Sequence, residues 1–131
     1  MSDSPHKEFE LRAVTRIPKP WGYELIWAHT DRYVGKILHV NRGEVLSLQY
    51  HEMKDETLFV VQGKVRLSVR RENDSADLIL ETGDAFHIPP GMIHRLEALE
   101  DSDVAEASTP ELSDVVRLED RYGRVMPMDR S

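Results

Sequence analysis

Four side chains in this sequence have the types and the spacing to hold a divalent metal ion. Gln49 and His51 stand two apart in Leu46-Ser47-Leu48-Gln49-Tyr50-His51, Glu56 follows five residues later, and His94 lies 38 residues beyond Glu56. Together they offer an amide oxygen, two imidazoles and a carboxylate, a donor set that suits one borderline or hard divalent ion such as zinc, manganese or iron. In an extended strand Gln49 and His51 share a face, so both can address the same point. Other histidines lack such company, and His6, His29 and His39 read as packing or surface residues.

These residues have to be positioned by strands. Short runs rich in β-branched and aromatic residues cover 22–28, 33–40, 45–50, 56–62, 64–71, 77–81, 85–88, 94–99 and 104–108. Turn signals separate them, among them Asn41-Arg42-Gly43, Gly63, Glu72-Asn73-Asp74-Ser75, Thr82-Gly83-Asp84 and Pro89-Pro90-Gly91. Many short strands at regular spacing predict an all-β sandwich or barrel. Residues 1–15 read as a flexible arm or edge strand, and residues 16–131 as one domain. Thr109-Pro110-Glu111 has the pattern of a capped single helical turn. The acids between Glu97 and Glu106 read as a solvated loop.

Strand parity carries a further expectation. With Gln49 and His51 facing inward, Glu56, Leu58 and Val60 also face inward, while Leu46, Leu48, Tyr50, Phe59 and Val61 face out. An apolar outer face calls for cover by the arm or by a second subunit, and a two-fold homodimer is predicted.

Composition narrows the functional classes. A chain of 131 residues has room for one domain with a substantial core. Its net charge of −7 argues against a nucleic-acid partner. The lack of cysteine removes disulfides, thiolate metal sites and cysteine nucleophiles. The polar first residues and the lack of a membrane-length apolar run predict a soluble cytoplasmic protein.

The spacings Gly43-x5-Gln49-x-His51-x4-Glu56-x6-Gly63 and Gly83-x5-Pro89-x-Gly91-x2-His94 resemble the two motifs of the cupin superfamily. Two positions depart from them: Gln49 stands in place of the usual first histidine, and Ala98 in place of an asparagine. Glutamine at that place resembles the phosphomannose isomerases. Lys19-Pro20-Trp21-Gly22, Ile88-Pro89-Pro90-Gly91, His94-Arg95-Leu96 and the closing Glu119-Asp120-Arg121-Tyr122-Gly123-Arg124 are similar to the isomerase domain of type II phosphomannose isomerase/mannose-1-phosphate guanylyltransferases. The resemblance spans roughly residues 17–124 and includes no nucleotidyltransferase domain, so guanylyl transfer is not implied.

The resemblance implies a jelly-roll barrel, the cupin double-stranded β-helix, with a C-terminal strap. It implies zinc ahead of manganese or iron, and a place in carbohydrate metabolism or polysaccharide biosynthesis. The implied activity is aldose–ketose isomerisation of mannose 6-phosphate and fructose 6-phosphate through a cis-enediolate. Lys54, two before Glu56 as in the zinc-dependent isomerases, is a candidate for holding a substrate oxyanion or phosphate. The reaction also needs a base near neutral pKa, for which Lys54 and His87 are the candidates. Phosphate would be held by some of Lys36, Lys54, Arg121 and Arg124. Arg95 follows His94 directly, so it faces away from the metal and reads as a structural ion-pair partner. The rival reading is a non-catalytic, metal-binding cupin that binds a sugar or small acid. An iron dioxygenase is a third, weakened by Gln49, since such sites use more imidazole.

Overall fold

The computed structural model of the chain describes residue 9 and residues 11–125. Among these there are eleven strands and no helix: β1 (Thr15–Lys19), β2 (Gly22–His29), β3 (Val34–Val40), β4 (Leu48–His51), β5 (Glu56–Gln62), β6 (Lys64–Arg71), β7 (Asp74–Glu81), β8 (Ala85–Ile88), β9 (Ile93–Ala98), β10 (Ser102–Ser108) and β11 (Val115–Glu119). They form a six-stranded sheet, β1-β2-β3-β10-β5-β8, facing a five-stranded sheet, β11-β4-β9-β6-β7. From β3 onward the chain alternates between the two sheets except at the β6–β7 hairpin, and every pairing is antiparallel, which is the jelly-roll arrangement. No helix of the described residues is long and apolar enough to cross a membrane.

Side-chain alternation decides which face each strand buries. In β5, Glu56, Leu58 and Val60 are buried while Thr57, Phe59 and Val61 are exposed. In β10, Ser102, Val104, Glu106 and Ser108 point inward. The core between the sheets gathers Trp21, Leu38, Val40, Leu58, Val60, Val65, Leu67, Ile88, Leu96 and Val104. Two glycines are demanded by close packing. A Cβ on Gly22, at φ 151°, would fall on the carbonyl oxygen of His39, and one on Gly63, at φ 110°, would collide with Ser102 and Asp101.

Several expectations are corrected here. The acidic stretch ending at Glu106 is not wholly a solvated loop, because Ser102–Ser108 is an internal strand paired on both sides, with β3 and β5. Thr109-Pro110-Glu111 forms no helix; Thr109 is instead tied to Asp55, its N–H donating to the Asp55 carbonyl and its Oγ1 accepting from the Asp55 N–H, both at 3.0 Å. The four-residue turn tightens to Glu72-Asn73, with β7 starting at Asp74. Leu46 packs onto the core rather than outward, because residues 46–47 lie outside regular strand and parity does not run through them. Most of the arm, residues 1–8 and 10, lies outside the described residues; Thr15 opens β1, an edge strand.

The outer face of the six-stranded sheet carries an apolar row set by register: Leu25, Ile37, Ala105, Phe59 and Ala85 on β2, β3, β10, β5 and β8. Trp27 lies beside it against Gly35, 55% exposed.

Candidate metal centre and its pocket

Both sheets contribute to one buried cluster. Gln49 on β4 is the register partner of His94 on β9, and His51 ends β4, all in the five-stranded sheet. Glu56 opens β5 in the opposite sheet. One ligand atom each from His51, Glu56 and His94 falls within a 4.8 Å group, and all three residues are buried.

The hydrogen-bonding roles of these atoms indicate what belongs between them. His94 Nδ1 lies 2.9 Å from the Met92 carbonyl, which can only accept, so Nδ1 carries the hydrogen and Nε2 is bare. That Nε2 faces Glu56 Oε2 at 3.3 Å, and His51 Nε2 faces the same oxygen at 3.5 Å. On its other side His51 Nδ1 faces Asp114 Oδ1 at 3.3 Å. A neutral imidazole has one N–H, so acceptors converge on one point that a divalent cation would satisfy. Gln49 adjoins this point with its amide nitrogen 3.5 Å from His51 Nε2, while its oxygen accepts from Ser47 Oγ at 2.5 Å. Coordination through the amide oxygen requires the amide turned over, and Ser47 Oγ can then accept from the nitrogen. The residues therefore fit a divalent ion. Burial alone would raise the Glu56 pKa, but the neighbouring His51 and His94 rings and the Lys54 charge hold it far below the usual carboxylate range.

A row of buried charges extends from this cluster along the six-stranded sheet. Lys54 Nζ lies 3.2 Å from Glu56 Oε1 and 2.7 Å from Glu106 Oε2. Glu106 is the cross-strand partner of Lys36, whose Nζ lies 3.5 Å from Glu24 Oε1. Burial would lower the Lys54 pKa, but the charges of Glu106 and Glu56 outweigh it and raise it. Glu106 is also raised, first by burial and then by Glu56, beyond what Lys54 and Lys36 offset. The charged form of Lys54 is thus favoured, and burial pushes Glu106 toward its protonated form.

These groups line a cavity of about 130 Å³ whose other walls are Trp21, Leu38, Leu58, Leu96, Leu112 and Val115. Three more cations line it: Lys19, Arg117 and Arg124. Burial lowers the Lys19 pKa, and Lys36, Arg117 and Arg124 push it the same way against the pull of Glu24. Arg117 is lowered by burial and by Arg124, and its Nε is buried with no hydrogen-bond partner. Arg124 is held by Asp120 through two bonds of 2.8 Å, which raise its pKa. A cluster of like charges around an unused buried donor is suited to an anion such as phosphate.

Of the residues picked out by sequence, Gln49, His51, Lys54, Glu56, His94, Lys36 and Arg124 line this cavity. His87 does not. It sits on the outer face, its side chain 59% exposed and 2.6 Å from Asp55, because its neighbour Ile88 takes the inward position. Arg121 also stays outside, donating to the Gly43 carbonyl at 2.9 Å beside Glu44. Arg95 bonds the Leu46 carbonyl and approaches Glu119 at 3.6 Å. Sequence reasoning passed over Lys19, Glu24, Glu106, Asp114 and Arg117. Glu106 had a signal, since it lies two from Val104 on a predicted strand.

Asp114, in the loop before β11, is held by the loop after His51. Its Oδ2 accepts from the backbone N–H groups of Met53 at 2.7 Å and Lys54 at 3.0 Å. Burial would raise its pKa, but those two bonds and His51 keep it low.

A family model described as a cupin domain matches residues 36–107. The chain is 38% identical over 130 residues to the mannose-1-phosphate guanylyltransferase ManC of Salmonella typhimurium LT2, covering 95% of this chain and 25% of that protein. It is 37% identical over 122 residues to the mannose-1-phosphate guanylyltransferase of Escherichia coli K12, covering 88% of this chain and 24% of that one. The chain therefore spans about a quarter of the length of these curated relatives. Among solved structures it is similar to KdgF from Halomonas sp., with a TM-score of 0.65 and 30% identity, covering 83% of this chain and 94% of that one.

Proposed function

The chain belongs to the cupin family, and on that premise we propose that it is a metal-dependent aldose–ketose isomerase of a sugar phosphate, of the mannose 6-phosphate and fructose 6-phosphate type. The observation that carries this reading is the meeting of two sites in one cavity. The converging ligand atoms of His51, Glu56 and His94 share it with Lys19, Arg117 and Arg124. A divalent ion held there by these three residues and a turned Gln49, zinc first and manganese or iron otherwise, would supply Lewis-acid stabilisation of negative charge developing on the C1 and C2 oxygens. Arg117 and Arg124 hold the phosphate at the far end of an open-chain sugar. Lys54, fixed between two carboxylates, presents its ammonium to a substrate oxygen. Glu106 takes the proton from one carbon and returns it to its neighbour. The apolar walls exclude water from the reacting carbons. Similarity to mannose-1-phosphate guanylyltransferases supports a mannose phosphate as the sugar.

A second reading, a non-catalytic cupin that binds a sugar or small acid, is favoured by one observation: Lys54 and Lys36 are both already engaged in buried ion pairs. Incubating the zinc- or manganese-loaded protein with mannose 6-phosphate and assaying fructose 6-phosphate separates the two. Conversion that stops on chelation supports the isomerase; calorimetric binding without conversion supports the binder.

The apolar row across the outer sheet supports a two-fold homodimer, since a self-matching patch is what such symmetry requires. Light scattering should give twice the 15.1 kDa chain mass, and a monomer would reject it. A charged sugar phosphate as substrate supports a cytoplasmic location.

A further inference from the structure

We infer that Asp114 is the positioning residue of the metal centre, fixing the rotation and tautomer of His51 so that a bare Nε2 points at the cation. The inference rests on the metal-binding part of the proposed function and not on turnover. Its ground is a division of labour between the two carboxylate oxygens. Oδ2 is occupied by the N–H groups of Met53 and Lys54, which belong to the loop joining His51 to Glu56. Oδ1 is left facing His51 Nδ1 at 3.3 Å, and both atoms are buried with no other partner. A carboxylate only accepts, so it favours the hydrogen on Nδ1 and leaves Nε2 for the metal.

His94 receives the same treatment from a different device. Its Nδ1 is held by the carbonyl of Met92, two residues away at the start of its own strand. His51 lacks such a local carbonyl and draws its partner from the segment between β10 and β11. The same segment brings Leu112 to the cavity, and β11 brings Val115 and Arg117. Asp114 thus adds a side-chain contact with His51 to the β4–β11 ladder that joins the anion-binding strap to the metal-binding strand. A carboxylate behind a ligating imidazole also raises its basicity, and losing such a partner typically costs roughly 10–100-fold in metal affinity.

The bland alternative is that Asp114 only brackets the loop, and Asp114→Asn separates the two roles. Its amide oxygen can still accept from Met53 or Lys54, so the loop stays closed. Its NH2 group then faces Nδ1 as a donor and favours the hydrogen on Nε2, the tautomer that cannot ligate through that atom. Tyr122→Phe is the control. It removes the hydroxyl bond to Glu44, loosening the strap without touching Asp114.

Zinc affinity is measured on the full chain by competition with a chromophoric chelator, and ring nitrogens are read by long-range ¹H–¹⁵N NMR on the zinc-loaded protein. In the wild type His51 should bind through Nε2 with a slowly exchanging, hydrogen-bonded Nδ1–H. Asp114→Asn should lose that resonance and bind zinc roughly 10–100-fold more weakly, and Tyr122→Phe should change neither. Ligation through Nδ1 in the wild type would overturn the positioning role, and this readout needs no variant to fold. So would unchanged affinity in Asp114→Asn, or an equal loss in Tyr122→Phe. A wild type that binds no zinc, manganese or iron would instead overturn the metal centre itself, and Asp114's role with it.

Discussion

Removing the Lys54 ammonium tests the electrostatic design of the pocket. Lys54 bridges Glu56 at 3.2 Å and Glu106 at 2.7 Å, and its side chain is only 5% exposed, so water screens these contacts little. Lys54→Met keeps the stem and deletes the charge, leaving two buried carboxylates without the cation between them. Stripping one partner from a buried pair typically costs about 3–5 kcal/mol, a large share of the roughly 5–15 kcal/mol that holds a domain together.

The cost should depend on pH with a definite sign. The Glu106 pKa is already raised in the folded state, and without Lys54 it rises further. A group raised on folding contributes stability that is complete below its unfolded pKa and is lost as pH rises through its folded pKa. The penalty should therefore be smaller near pH 5 than near pH 8, changing by up to about 1.4 kcal/mol per pH unit for one proton. Urea unfolding of the metal-free protein, followed by fluorescence of the buried Trp21, measures it at both pH values. Lys54→Met/Glu106→Gln should regain much of the loss. A penalty below about 1 kcal/mol at pH 8, or one that does not change with pH, would refute the reasoning.

Other substitutions probe separate parts of the pocket. Glu106→Gln should retain metal and lower turnover by about 10²–10⁴-fold, the typical contribution of a positioned base; full activity would remove Glu106 from the proton transfer. Arg117→Ala and Arg124→Ala should each weaken sugar-phosphate binding by about 1.5–3 kcal/mol, or roughly 10–150-fold, as loss of a charged hydrogen bond does. Calorimetry with the sugar phosphate and with its unphosphorylated sugar checks this, and equal losses for both would place the phosphate elsewhere. Gly22→Ala would drive a methyl into the His39 carbonyl and should destabilise by at least about 1–3 kcal/mol in thermal or urea melts; a neutral variant would contradict the packing at the β2–β3 ladder.

Much of the architecture was legible because strands repeat every two residues. The alternation of Glu56, Leu58 and Val60 against Thr57, Phe59 and Val61 set both faces of β5, and the same parity put Gln49 and His51 together. Glu106 was obscured by composition, since its acidic neighbours suggested a solvated loop, although its parity with Val104 pointed inward. Parity left the face of His87 open, and Ile88 takes the inward position. Lys19, Asp114 and Arg117 could not be found from sequence alone. Their roles come from β1 at a sheet edge, and from the pairing of β11 with β4, and both are tertiary choices that no local pattern announces. Val115 and Val116 open the strand that carries Arg117 to the cavity.

Proton exchange with solvent at the reacting carbons tests the central claim most directly. Zinc-loaded protein with mannose 6-phosphate in heavy water, followed by proton NMR, should interconvert the aldose and ketose with deuterium entering at C1 or C2. The exchange should vanish on chelation and in His51→Ala. No exchange and no conversion across a panel of sugar phosphates, with zinc or manganese bound stoichiometrically, would contradict the isomerase account.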